Sequence, residues 1–260
     1  MTIIESENTQ TCNYGSAMEY FPTRLPGTTL IDLVKVTKNY GKDITALDDI
    51  SLRVCKGEIV FLAGMSGAGK STLLKLMCGL EKASHGMVEV AGFDLGRIKQ
   101  KELQQFRQKI GVAYQDFRLL PQLTVFENVS MAMEVAYKNY SLIQKRVTDL
   151  LNMLMLHDKI NTPVSQLSRG EQQRVAIARA AANAPPLVLA DEPTGNLDKK
   201  ISRQVMNLFE QMNDAGSTII IATHDEAIYQ NSPHRLIELR RGKLFTIKEG
   251  PFSDYVVDKP

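Results

Sequence analysis

Cysteine is scarce in these 260 residues: Cys12, Cys55 and Cys78 are odd in number, widely spaced and form no C-x-x-C pair. That scarcity argues for a reducing, cytoplasmic setting over a disulfide framework or a zinc site. An excess of one charge is missing too. Lys and Arg number 31 against 29 Asp and Glu, and no run of five like charges occurs. A formal net charge of +2 gives no reason to expect nucleic acid as a partner. No apolar run approaches the roughly 18–20 residues that a bilayer demands. The N-terminus carries Glu5 and Glu7 where a secretory signal would be basic and then apolar. The expectation is a soluble protein whose membrane role, if it has one, comes through a partner. No internal repeat is found either.

What is present is ordinary for a globular chain, with 43% hydrophobic and 23% charged residues. The length suits one domain, or one domain with an inserted subdomain. Residues 1–29 are polar with Pro22 and Pro26 and show neither helical nor strand period, so they read as an N-terminal extension. The folded domain is expected over residues 30–247, with 248–260 as a C-terminal tail. Strands are expected at Leu30–Val36 and Ala46–Val54, then as short buried runs at Ile59–Ala63, Leu187–Ala190 and Thr218–Ala222. Shorter strands are expected at Met87–Val90 and Ile110–Tyr114, and a final pair at Leu236–Leu239 and Lys243–Ile247. Residues 125–160 carry Leu and Met at helical spacing, including Val147, Leu150, Leu151 and Leu154. Asp198 caps a helix with Ile201, Val205, Leu208 and Met212 on its apolar face. Buried parallel-type strands alternating with helices imply an α/β core with its ligand at the strands' carboxyl ends.

One stretch carries specific chemistry. Gly64-Met65-Ser66-Gly67-Ala68-Gly69-Lys70-Ser71 fits G-x-x-x-x-G-K-[ST], preceded by a strand and followed by a helix that starts at Ser71-Thr72. Glycines let the backbone wrap a phosphate chain, and the helix start adds a partial positive charge. Lys70 suits the β- and γ-phosphates, and the Ser71 hydroxyl suits Mg²⁺. A strand also ends in Asp191-Glu192, the first suited to Mg²⁺ and the second to polarising water. An acid pair after a strand is by itself only a solvated loop; beside a phosphate loop it becomes a candidate site. Ser168 and Glu171 form a capping box, and Gly170 in that first turn leaves a second helix start able to meet an anion.

Together these motifs resemble the nucleotide-binding subunit of the ATP-binding cassette family, over about residues 30–247. The resemblance implies a P-loop NTPase fold with a RecA-like core lobe, an antiparallel β subdomain and a helical subdomain at about residues 116–183. It implies an ATPase that uses ATP and Mg²⁺ and dimerises head to tail. ATP on Gly64, Ser66, Gly67, Ala68, Gly69, Lys70, Ser71 and Thr72 of one copy would then meet Ser168, Gly170 and Glu171 of the other. By the same resemblance Gln115 senses magnesium and water, His224 contacts the γ-phosphate, Asp198 signals across the dimer and Tyr40 stacks on adenine. Arg169 stands where the family usually has glycine; if that position needs a positive φ, the loop is strained.

Within the family, the run Tyr114-Gln115-Asp116-Phe117-Arg118-Leu119-Leu120-Pro121 resembles bacterial cell-division members. The resemblance implies a separate integral-membrane, permease-like subunit and a peripheral place on the cytoplasmic face of the inner membrane. It implies that ATP-driven shape change reaches cell-wall hydrolases through that partner. A lipoprotein-releasing or macrolide- or peptide-exporting transporter subunit stays open, as does a nucleotide-gated scaffold with little hydrolysis.

Overall fold

A computed structural model of the chain describes residues 28–250 apart from Lys42. The expected extension and tail therefore lie almost wholly outside the described residues. Two sheets share the work. The first is antiparallel and built on a long hairpin, β1 (Thr29–Tyr40) with β2 (Ile44–Cys55), joined by β4 (His85–Val90) and β5 (Phe93–Asp94) in the order β2-β1-β4-β5. The second contains β3 (Ile59–Ala63), β6 (Ile110–Ala113), β7 (Leu187–Asp191), β8 (Thr218–Ala222), β9 (Arg235–Arg240) and β10 (Lys243–Lys248). Its order is β10-β9-β3-β8-β7-β6, parallel throughout except for the antiparallel edge strand β10.

Continuous apolar runs make β3, β7 and β8 because this sheet is covered on both faces. Phe61, Val188, Ala190, Ile219 and Ile221 enter one core, while Val60, Leu62, Leu189, Ile220 and Ala222 enter the other. The second core lies against β1, β2, α1 (Lys70–Met77) and Phe106 of α2 (Gln100–Gln108). The first is closed by α3 (Val125–Glu134), α4 (Tyr140–Met153), α5 (Arg169–Ala181) and α6 (Lys199–Asp214). Val125, Leu150 and Val175 belong to the same cluster as Phe61, so the helices between β6 and β7 share a core with the sheet. A short α7 (Glu226–Tyr229) follows β8. Among the described residues no helix is long and apolar enough to cross a membrane.

The strands differ from the sequence reading in one informative way. β1 runs on to Tyr40, beyond the expected Val36, through irregular register on both sides. Lys35 has a φ of 50° there, so the alternating pattern breaks while pairing continues. That continuation brings the Tyr40 hydroxyl to 3.5 Å from Thr72 Oγ1 in α1.

Gly111 sets the spacing between sheet and helices. A Cβ on it would sit 2.1 Å from the carbonyl oxygen of Ala180 in α5, closer than packed atoms tolerate. Gly111→Ala is expected to cost about 1–3 kcal/mol of stability by forcing α5 off β6. Urea unfolding of the variant checks this, and an unshifted midpoint would contradict it.

Candidate active site

The site forms where parallel strands end side by side. β3 feeds the loop Gly64–Gly69 into α1, β7 ends in Asp191 and Glu192, and Thr223-His224 follow β8. Gln115 arrives just after β6. Between them lies a cleft of about 530 Å³ whose lining includes Ser66, Lys70, Ser71, Gln115, Asp191 and His224. Gly69 is the N-cap of α1, with a φ of 110° and no side chain to satisfy the first-turn N–H groups. A Cβ there would lie 2.6 Å from the Ala46 carbonyl oxygen, so glycine is required for the approach. An uncapped helix start opening into a cleft is an anion site.

Lys70 is only 6% exposed. Its ammonium donates to the loop's own carbonyls, Gly64 O at 2.6 Å and Met65 O at 3.3 Å, and lies 3.6 Å from Glu192 Oε1. Glu192 is the hub. Its backbone is left-handed, with a φ of 50° that a residue bearing a Cβ rarely adopts. Surrounding bonds hold it there: its N–H donates to Ala222 O at 2.8 Å, and its C=O accepts from Gln173 Nε2 at 2.6 Å. The carboxylate accepts from Thr223 Oγ1 at 3.3 Å and from the His224 N–H at 3.4 Å, and sits 2.8 Å from His224 Nδ1. A histidine, a lysine and a threonine hydroxyl thus converge on one carboxylate.

Burial pushes the Asp191 carboxyl above its ordinary pKa, partly offset by a hydrogen bond from Ser71. Its Oδ1 is buried without a hydrogen-bond partner. That orphan oxygen, the Ser71 hydroxyl and the Gln115 side chain offer hard oxygen donors of the kind Mg²⁺ takes. Among the described residues no cluster of three or more His, Cys, Asp or Glu could hold a metal unaided. These residues fit a cation that draws its remaining ligands from water and substrate phosphates.

The other expected residues lie apart from this cleft. Tyr40 donates its hydroxyl to Glu81 Oε2 at 2.6 Å and stands 3.5 Å from Thr72 Oγ1, with Lys38 Nζ 5.0 Å from its ring centroid. Ser168 starts α5 in a closed capping box, donating from N and Oγ to Glu171 Oε2 at 2.8 and 2.7 Å. That bond holds the Glu171 carboxyl below its usual range. Arg169 occupies ordinary helical backbone, outside the positive-φ set, so the strain considered for it does not arise. Gly170 packs on the next loop instead, where an added Cβ would lie 3.1 Å from Asn196 O. Asp198 caps α6 by accepting from Lys200 and Ile201 N–H.

The sequence profile of the ABC transporter family matches residues 47–195. The chain belongs to that family. It is 45% identical over 82% of its length to the cell division ATP-binding protein FtsE of Bacillus subtilis, covering 93% of that protein. With the FtsE of Escherichia coli K12 it shares 42% identity over 83% of this chain and 97% of the relative. A dimeric ATP-binding cassette in a post-hydrolysis state bound to ADP and Pi superposes with a TM-score of 0.79. That cassette is 36% identical, and the match covers 84% of this chain and 99% of the other. The two sheets and their helices are the family's cassette, and the chain is an ATPase.

Two residues of this cassette escaped the sequence reading. Gln173, 3% exposed, donates to the Glu192 carbonyl and accepts from Asn196 N–H, tying α5 to the loop after β7. Arg179 donates to the Phe117 and Arg118 carbonyls at 2.7 and 2.6 Å, tying the same helix to the loop after Gln115. A glutamine within the buried face of α5, beside Val175 and Ala176, was the available signal for the first.

The α5 cap yields a pH-dependent prediction. A carboxyl lowered on folding adds stability above its unfolded pKa, and that stability is lost as pH falls through the folded value. Ser168→Ala should therefore cost about 0.5–2 kcal/mol at neutral pH, and clearly less once acid has protonated Glu171. Urea melts of the nucleotide-free protein at neutral pH and at a pH well below the ordinary carboxylate range of about 4, acid enough to protonate the lowered Glu171 carboxyl, measure it; an equal cost at both would contradict the assignment.

Proposed function

We propose that this chain is the ATP-hydrolysing subunit of a membrane complex acting in cell division, and that it works as a homodimer beside a separate integral-membrane, FtsX-like permease. The carrying observation is the 45% identity to a cell division ATP-binding protein over 82% of this chain, together with the furnished cleft. By this reading the complex sits on the cytoplasmic face of the membrane and passes ATP-driven movement to cell-wall hydrolases. The similarity to a dimeric bacterial ABC transporter cassette, 37% identical with a TM-score of 0.79, keeps a transporter subunit as the second reading. The membrane protein that co-purifies with the full chain separates the two.

Lys70 turns its ammonium from the Gly64 and Met65 carbonyls to the β- and γ-phosphates of ATP, with the α1 start and loop N–H groups receiving the rest. Ser71, Asp191 and Gln115 would hold Mg²⁺, which would supply neutralisation of the negative charge on the phosphates. Glu192 orients the attacking water and accepts its proton as the γ-phosphoryl leaves ADP; the products are ADP and phosphate. His224, 2.8 Å from that carboxylate, holds it in place and meets the γ-phosphate. Tyr40 offers adenine the ring face opposite Lys38.

Ser168 and Gly170 do not line this chain's own cleft, and α5 begins against Asn196. This separation supports completion of each site by the second copy, with Asp198 at the neighbouring cap relaying across the pair.

Glu192→Gln should bind ATP, accumulate as a dimer and hydrolyse at least about 10²-fold more slowly. Light scattering with ATP and a phosphate-release assay read both effects; wild-type turnover would remove Glu192 as the base. Lys70→Ala should lose ATP binding in equilibrium titration, and unchanged affinity would remove the phosphate-loop role.

A further inference from the structure

On the opposite end of the sheet from the nucleotide site lies a second cleft, of about 910 Å³. It falls in the size range of ligand-holding cavities. It is bounded on one side by the start of β1 and the Ala91-Gly92 turn, and on the other by the end of α3, the start of α4 and the end of α5. Its apolar lining includes Leu30, Met133, Ala136, Leu142 and Ala182. Four cations also line it, Lys56, Lys109, Lys138 and Arg146, against one anion, Glu89. A cleft with apolar walls and a cationic excess suits a peptide that sets a carboxylate beside aromatic side chains.

Such a peptide belongs to the chain itself. Thr29 and Leu30 line the cleft, and the Lys56 N–H donates to Thr28 O at 2.9 Å, so the N-terminal segment departs from this rim. Residues 1–27 carry Glu5, Glu7 and Glu19 against Arg24 alone; within residues 17–27 the charges balance, and Glu19 is the carboxylate that lies beside the aromatic pair. Met18-Glu19-Tyr20-Phe21 sets an acid among three large apolar side chains. The eight residue steps from Phe21 to Thr29 can span up to about 26–29 Å, ample to fold back over the opening.

We propose that residues 17–27, led by Tyr20 and Phe21, seat in this cleft and tie the β1 sheet to the ends of α3, α4 and α5. Tyr20 and Phe21 enter between Leu30 and Leu142, while Glu19 meets Lys138 or Lys109. The tie joins the antiparallel sheet to the helices that carry Ser168, without touching the nucleotide site.

The test uses full-length chain bearing a photoreactive benzophenone amino acid in place of Phe21, mixed from isotopically light and heavy copies. Light-induced crosslinks to residues 133–146 or 182–186 within one copy are expected. Crosslinks between copies would assign the cleft to a second chain and overturn the proposal, as would their absence. In parallel, amide exchange of residues 17–27 in the wild-type chain should be slowed at least about tenfold relative to the Tyr20→Ser, Phe21→Ser double variant. Exchange equal in both would also overturn it.

Discussion

The structure depends on holding one carboxylate in a position its backbone does not favour. Glu192 follows a strand buried from Leu187 to Ala190 and takes a left-handed conformation that places its side chain back over Lys70 and beside His224. Holding a residue bearing a Cβ in that region costs on the order of 1–3 kcal/mol, which the surrounding bonds must offset. They come from three separate elements: the Ala222 carbonyl at the end of β8, the Thr223 hydroxyl beyond it, and Gln173 in α5. The carboxylate is thereby positioned before any substrate arrives.

Helix α5 connects what the strands cannot. Its cap at Ser168 is presented away from the cleft, its Gln173 grips the Glu192 carbonyl, and its Arg179 grips the loop that follows Gln115. Burial lowers the Arg179 pKa, and its guanidinium is answered by two backbone carbonyls. A movement of either loop is thus felt along one rigid rod of 13 residues. Arg174 fastens the same rod to the end of α4 through the Leu154 and Met155 carbonyls. This linkage supplies a physical path between nucleotide chemistry and the helices lying farthest from the sheet.

Much of this was legible in the sequence because burial leaves plain marks. Ile59–Ala63 and Thr218–Ala222 are unbroken apolar runs with sharp ends, and both strands have those bounds. The neighbourhood of Lys70, Asp191 and His224 followed from where each falls against a strand end. What stayed hidden lacked a periodic signature. The extension of β1 past Lys35 depends on irregular pairing with two neighbours, and β5 is only two residues long. The left-handed Glu192 and its glutamine anchor arise from tertiary contact: Gln173 shares the buried face of α5 with Ala176, Ile177 and Ala180, but that pattern does not say which carbonyl it meets.

The central claim is that each ATP is clasped by the loop of one copy and the α5 start of another. Mixing two inactive full-length variants, Lys70→Ala and Ser168→Arg, tests it most directly. In a mixed dimer both defects fall on one site and the other site is intact. The account predicts that the mixture hydrolyses ATP although neither variant does alone; a mixture as inactive as its components would contradict it.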